Sequence, residues 1–147
     1  MNIKYIKGDA TQPQGKGMKI ICHVCNDIGV WGAGFVLALS KRWSYPEHFY
    51  RARQKYPLGH VDILSVETDI YVANMIAQHG LRSDSNTIPL RYIALAEALS
   101  KVNELAENIG AELHMPRIGC GLAGGSWEAV ESVIRENVHV DVWVYDL

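Results

Sequence analysis

Two glycine-bearing segments hold the residues best suited to grip an anion. The first is Asn26-Asp27-Ile28-Gly29-Val30-Trp31-Gly32-Ala33-Gly34, after the apolar run Met18-Lys19-Ile20-Ile21-Cys22-His23-Val24. The second is Arg117-Ile118-Gly119-Cys120-Gly121-Leu122-Ala123-Gly124-Gly125-Ser126, after Glu112-Leu113-His114-Met115. Each reads as strand, glycine loop, helix. Glycine lets backbone approach a ligand closely. The start of the following helix offers unpaired N–H groups and a partial positive charge. Two such loops in one short chain predict a single pocket for a nucleotide diphosphate.

Side chains near these loops could add acid–base chemistry. His23 lies in an apolar strand pattern, where a histidine is most often a hydrogen-bonded core residue. An imidazole that titrates near neutrality also suits proton transfer or phosphate binding. His79 sits in a polar segment and is a second candidate. Asn26 and Asp9 stand at strand ends, where both types also form turns. Trp31 reads as an anchor packed on the sheet and as a wall beside the ligand. Arg117 reads as a structural ion pair at a strand end, and phosphate is its other possible partner. Asp84 reads as a solvated loop acid. Cys120 is expected to matter through its N–H, not its sulfur. Cys22 and Cys25 form a C-x-x-C, but Cys22 lies in a strand pattern that favours a buried thiol. A redox or metal protein is therefore a distant rival, and neither a metal nor a cofactor is expected.

The elements that must position these groups follow from periodicity. Ile3 to Lys7 alternates as a half-buried strand. Met18 to Val24 reads as a central strand covered on both faces. Phe35, Val36, Leu39 and Trp43 recur at helical spacing, and Pro46 suits the first turn of a second helix. His60 to Val66 and Asp69 to Ala77 predict a hairpin. The polar stretch 78–88 reads as an exposed loop. Pro89 is expected to open a helix to about Asn108, with Ile93, Ala96, Leu99, Val102 and Leu105 buried and Gly110 as its cap. Glu112 to Met115 is a short strand, Ser126 caps a further helix, and Val138 to Tyr145 is the last strand. The order β β α α β β α β α β predicts one domain over residues 1–147, an α/β fold with helices on both faces of the sheet. Ligands of open α/β sheets bind at the C-terminal ends of strands, where both loops lie.

Composition narrows the partners. The chain has 147 residues, 48% hydrophobic and 20% charged, as expected for one globular domain. A net charge of −2 disfavours an extended nucleic-acid duplex. Apolar stretches are too short to span a bilayer, and no signal-peptide core is visible. A cytoplasmic monomer is the expectation. Three cysteines, an odd count, argue against a disulfide framework.

The chain resembles the macrodomain family. The likeness rests on Gly8-Asp9-Ala10-Thr11, Cys25-Asn26 with Gly29-Val30-Trp31-Gly32-Ala33-Gly34, and Met115-Pro116-Arg117-Ile118-Gly119-Cys120-Gly121-Leu122 with Trp127-Glu128. It covers nearly the whole chain, and the Tyr145-Asp146-Leu147 ending is similar to one branch of the family. That branch includes the fungal ADP-ribose-1″-phosphate phosphatase and terminal ADP-ribose glycohydrolases. The resemblance implies a three-layer α/β/α domain with a mixed sheet of about six strands and a cleft for ADP-ribose or an ADP-ribosylated substrate. It implies that Asp9, with Ala10, accepts a hydrogen bond from the adenine amino group, and that Tyr145 and Leu147 pack on adenine. Asn26, Gly29, Val30, Trp31, Gly32, Ala33 and Gly34 would surround the distal ribose and its phosphate. Gly119, Cys120, Gly121, Leu122 and Ala123 would wrap the diphosphate. His23, Asn26 or His79 would position water or a leaving group in a hydrolase. The glycohydrolases use a lysine where this chain has Gln78 or His79, with Arg82 the nearest cation, and an acid where it has Ala123. A lysine-adduct mechanism is therefore not expected. The alternative is a module that binds ADP-ribose without chemistry.

Overall fold

The computed structural model of the chain describes residues 1–81 and 88–147. Arg82 and Asp84 lie outside the described residues. The elements are β1 (Ile3–Lys7), β2 (Lys19–Asn26), α1 (Phe35–Arg42), α2 (Tyr45–Arg51), β3 (Val61–Glu67), β4 (Ile70–Gln78), α3 (Tyr92–Ile109), β5 (Glu112–Met115), α4 (Trp127–Asn137) and β6 (Val142–Asp146). They form one sheet in the order β1-β6-β5-β2-β4-β3. Only β3 runs antiparallel, paired with β4 at the edge as the expected hairpin. The sheet is mixed and six-stranded.

The continuous apolar run of β2 feeds two cores because successive side chains point to opposite faces. Ile20 and Cys22 join Leu95, Leu99, Val130 and Ile134 beneath α3 and α4. Ile21 and Cys25 join Leu39, Tyr50, Val72 and Ile76 beneath α1 and α2. The two cysteines of the C-x-x-C thus sit on opposite faces of the sheet. Both are free and buried, and burial pushes both thiols up. No group of three metal-binding side chains comes together among the described residues.

Two boundaries and one buried face differ from the sequence expectation. Helix α3 begins at Tyr92, not at Pro89. Residues 89–91 first run alongside the end of β4: His79 N donates to Pro89 O (2.8 Å), Arg91 N donates to Ala77 O (2.8 Å), and Leu90 bridges Gln78. The expected buried stripe of α3 also drifts. A strict three-residue repeat slips by about 60° per step on an α-helix. Centred on Leu99, it leaves the buried face at both ends. Ile93 is accordingly 80% exposed, while Ala94, Leu95, Ala98, Leu99, Val102 and Ala106 are buried. Strand β6 begins at Val142, because α4 continues to Asn137 and Val138 caps it through its N–H to Ile134 O. Gly110 ends α3 in the left-handed conformation, and Ser126 caps α4 by accepting from Ala129 N.

Candidate functional site

The two glycine loops leave the C-terminal ends of β2 and β5 and face one another. They line a single cleft of about 510 Å³ together with His23, Gln78, Leu81 and Pro116. A Cβ placed on Gly34 would lie 3.9 Å from Leu122 Cδ1, so the loops nearly touch across its mouth. The N–H groups of Gly32, Ala33 and Gly34, and of Gly119, Gly121 and Leu122, donate to no acceptor among the described residues. Unpaired backbone donors on two loops that line one cleft suit an oxyanion.

The first loop is shaped by Asn26. Its Oδ1 accepts from Ile28 N and Val30 N (3.1 Å each), and its Nδ2 donates to Val30 O (2.6 Å). The buried Tyr50 hydroxyl, 2.7 Å from Asn26 O and 2.8 Å from its Oδ1, supports it from α2. A second set of bonds fixes Trp31. Trp31 Nε1 donates to Ser40 Oγ, which donates to Glu47 Oε1 (2.8 Å each). Arg51 closes the ring by donating to Glu47 Oε2 (2.9 Å) and Trp31 O (2.7 Å). Ser40→Ala leaves the Trp31 N–H inside the protein without an acceptor. We expect it to lower unfolding free energy by ~1–3 kcal/mol, the cost of an orphaned donor, in urea titrations.

The second loop closes on itself. Gly125 N donates to Gly119 O (2.7 Å), and Leu90 N donates to Ala123 O (3.0 Å). Gly119 adopts φ +73°, which favours glycine. A Cβ on Gly125 would lie 2.6 Å from Gly119 O, so that position admits only hydrogen.

His23 forms part of the cleft floor and is 2% exposed. Asn74 Nδ2 donates to Pro46 O, which turns Asn74 Oδ1 toward His23 Nε2 at 2.6 Å. Nε2 therefore carries the proton, and Nδ1 is left without a partner. The ring packs edge-on against Trp31 at 5.3 Å. Burial, partly offset by the Asn74 bond, lowers its pKa to about 4. It is neutral at physiological pH.

Among the residues expected to bind ligand, Asn26, Val30, Trp31, Gly32, Ala33, Gly34, Gly119, Gly121, Leu122 and Ala123 line the cleft. Gly29 and Cys120 belong to the loops without lining it. Asp9 stands beyond β1, where its Oδ1 accepts from Thr11 N (2.8 Å) and Oγ1 (2.7 Å). Ala10 beside it is buried. Tyr145 is 3% exposed. Its hydroxyl accepts from Gln14 N (2.9 Å) and meets His114 Nδ1 (2.7 Å), which puts the ring inside the fold, where it has no open face for adenine. Leu147 is fully exposed. Arg117 is the only charged side chain lining the cleft among the described residues. It forms a two-pronged pair with Asp146 (2.7 and 3.0 Å) and lies over the Tyr5 and Trp127 rings. His79 is not among the residues lining the cleft; its Nδ1 lies 2.7 Å from Asp27 Oδ2. Ser40, Glu47, Tyr50, Arg51 and Leu90 support the loops without having been singled out from sequence. Glu47 and Arg51, four residues apart on a helix begun by Pro46, were the one visible signal.

A macrodomain protein from Streptomyces coelicolor has a similar structure, with 46% identity, a TM-score of 0.87 and 99% of each chain covered. The chain belongs to the macrodomain family. An ADP-ribose 1″-phosphate phosphatase of Candida albicans is 29% identical over 97% of this chain and 99% of its own length. A chromodomain-helicase-DNA-binding protein 1-like of mouse is 31% identical over 93% of this chain, which spans only 16% of that protein. No family model matches. No helix among the described residues is long and apolar enough to cross a membrane.

Proposed function

We propose that the protein binds ADP-ribose and hydrolyses an ADP-ribose derivative, with ADP-ribose-1″-phosphate the first substrate to test. The observation that carries this reading is the pair of loops lining one cleft, with N–H groups that find no acceptor among the described residues. The likeness to the Candida phosphatase over nearly the full length of both chains supports the choice of substrate. In this reading Gly32, Ala33 and Gly34 meet the distal ribose and its phosphate, and Gly119 to Ala123 hold the diphosphate through N–H donors. Such donors are preorganised for charge that builds up on phosphate oxygens. Asn26 and Trp31 set the shape of the ribose subsite, and His23 supplies a neutral floor. Asp9 Oδ2 accepts from the adenine amino group. The protein acts as a monomer in the cytoplasm.

Two experiments test this. Calorimetry with ADP-ribose reads the pocket. Asp9→Asn keeps an oxygen for the Thr11 bonds but replaces the second acceptor, and it is expected to weaken binding by ~1–3 kcal/mol. Phosphate release from ADP-ribose-1″-phosphate reads the chemistry. The absence of a free carboxylate or amine among the described cleft-lining residues favours a second reading, a binding module without turnover. Calorimetric binding with no product from the 1″-phosphate, from O-acetyl-ADP-ribose or from ADP-ribosylated protein or DNA would establish it.

A further inference from the structure

The pairing of β2 with β4 ends on a bulge. Cys25 pairs with Ile76, but Asn26 pairs with Gln78, so Ala77 is an extra residue on β4. A bulge re-aims the residues beyond it, and Asn26 and Gln78 both line the cleft. Leu81 lines it too, whereas His79 and Gly80 between them do not. Those two residues are instead bonded to one side chain of the first loop. Asp27 Oδ2 lies 2.7 Å from His79 Nδ1, and Oδ1 accepts from Gly80 N at 3.0 Å. Asp27 N adds a third bond, to Gln78 O at 2.9 Å. Gln78 Nε2 donates to Gly80 O at 2.8 Å, which closes the turn on itself. The Asp27 side chain is 14% exposed. Burial raises its carboxyl, but the Gly80 N–H and His79 outweigh it and hold the pKa below the usual carboxylate range. An ionised carboxylate only accepts, so His79 Nδ1 carries the ring proton.

We propose that Asp27 is a positioning residue that sets the preference of the cleft for ligands carrying a distal ribose. The proposal rests on the reading above, in which that ribose lies against Asn26 and the first loop. The wall made by Gln78 and Leu81 starts at the register partner of Asn26, so it belongs to the same end of the cleft. Asp27 itself does not line the cleft. Its carboxylate holds the turn that carries the wall, and a wall ordered in advance spares the ligand the cost of ordering it. The second loop is closed by other groups. Gly125 N donates to Gly119 O and Leu90 N donates to Ala123 O, and neither bond involves Asp27. Leu90 also bridges Gln78, and His79 N donates to Pro89 O, so the backbone of β4 stays tied when the carboxylate is removed. Loss of the carboxylate therefore loosens the ribose side and leaves the diphosphate donors in place.

Calorimetry of the full chain with ADP-ribose and with ADP, which has the diphosphate but no distal ribose, tests it. Wild type is expected to bind ADP-ribose the more tightly. Asp27→Ala should weaken ADP-ribose roughly tenfold, as the loss of one or two net hydrogen bonds would, and leave ADP unchanged. Asp27→Asn keeps an oxygen for Gly80 N and offers an N–H to His79 Nδ1 in the other ring tautomer. It should recover most of the lost affinity. An Asp27→Ala protein that holds ADP-ribose as wild type does, or loses both ligands equally, would overturn the proposal and leave the ribose placement intact. Asp27→Asn no better than alanine would also overturn it, because charge and not position would then decide. Wild type that binds ADP-ribose no more tightly than ADP would overturn the ribose placement and the proposal together.

Discussion

Alanine at Gly125 is expected to reduce ADP-ribose affinity more than 100-fold without unfolding the sheet. Gly125 does not line the cleft. Its part is to let the second loop close, through Gly125 N to Gly119 O at 2.7 Å. An added Cβ would lie 2.6 Å from that same backbone oxygen and 2.4 Å from Leu90 Cδ2. The leucine could rotate, but the carbonyl belongs to a backbone at φ +73° and must shift with the whole loop. Once Gly119 shifts, the Gly119, Gly121 and Leu122 donors are displaced with it. A 100-fold loss corresponds to about 2.7 kcal/mol of binding free energy. Gly121 provides the contrast. A Cβ there meets nothing within 4 Å, so Gly121→Ala should melt at the wild-type temperature. Calorimetry and thermal melts on the two variants check both statements. Near-wild-type affinity in Gly125→Ala would show that loop closure does not preorganise the site.

Much of this site could be read in the residues themselves. Strand–glycine–helix signals placed both loops, because glycine marks positions where a side chain cannot go. The order of all ten elements follows from the same local periodicities. What escaped was non-local. Leu90 props the second loop from the far side of β4, and nothing in its sequence neighbourhood refers to Gly119. Ser40, Glu47 and Arg51 look like ordinary helix-surface residues until the fold brings Trp31 against them. Tyr145 shows the opposite error. It sits in the right segment to meet a nucleotide, but β6 side chains alternate, and its ring faces the interior toward His114 and Gln14. Asp27 and His79 come together only through the pairing of β2 with β4, which no local pattern shows.

Burial in the sheet also determines how the protein responds to acid, since β2 and β5 each bury a histidine. Stability is expected to fall steeply between pH 6.5 and pH 5. His23 on β2 has its pKa lowered to about 4 by burial, with the Asn74 bond opposing. His114 on β5 has its pKa lowered to about 3, by burial first and then by the charge of Lys19. In the unfolded chain both return to about 6.5. As pH drops through 6.5, the unfolded state binds protons that the folded state refuses until pH 4 or below. The unfolded state gains, so stability present above pH 6.5 is lost on acidification. At pH 5 each histidine costs about 2 kcal/mol by this linkage. Together they remove a large part of the 5–15 kcal/mol typical of a domain. The depressed carboxyl of Asp27 contributes in the same direction, but only at lower pH, near the carboxylate range. Urea unfolding at pH 7.5, 6 and 5 measures the loss. His23→Gln and His114→Gln each remove one titrating group, whatever they do to stability at pH 7.5. Each should therefore flatten the pH dependence by about half. Variant curves running parallel to wild type would show that the two imidazoles accept protons in the folded state, and that neither is sealed as the geometry of β2 and β5 requires.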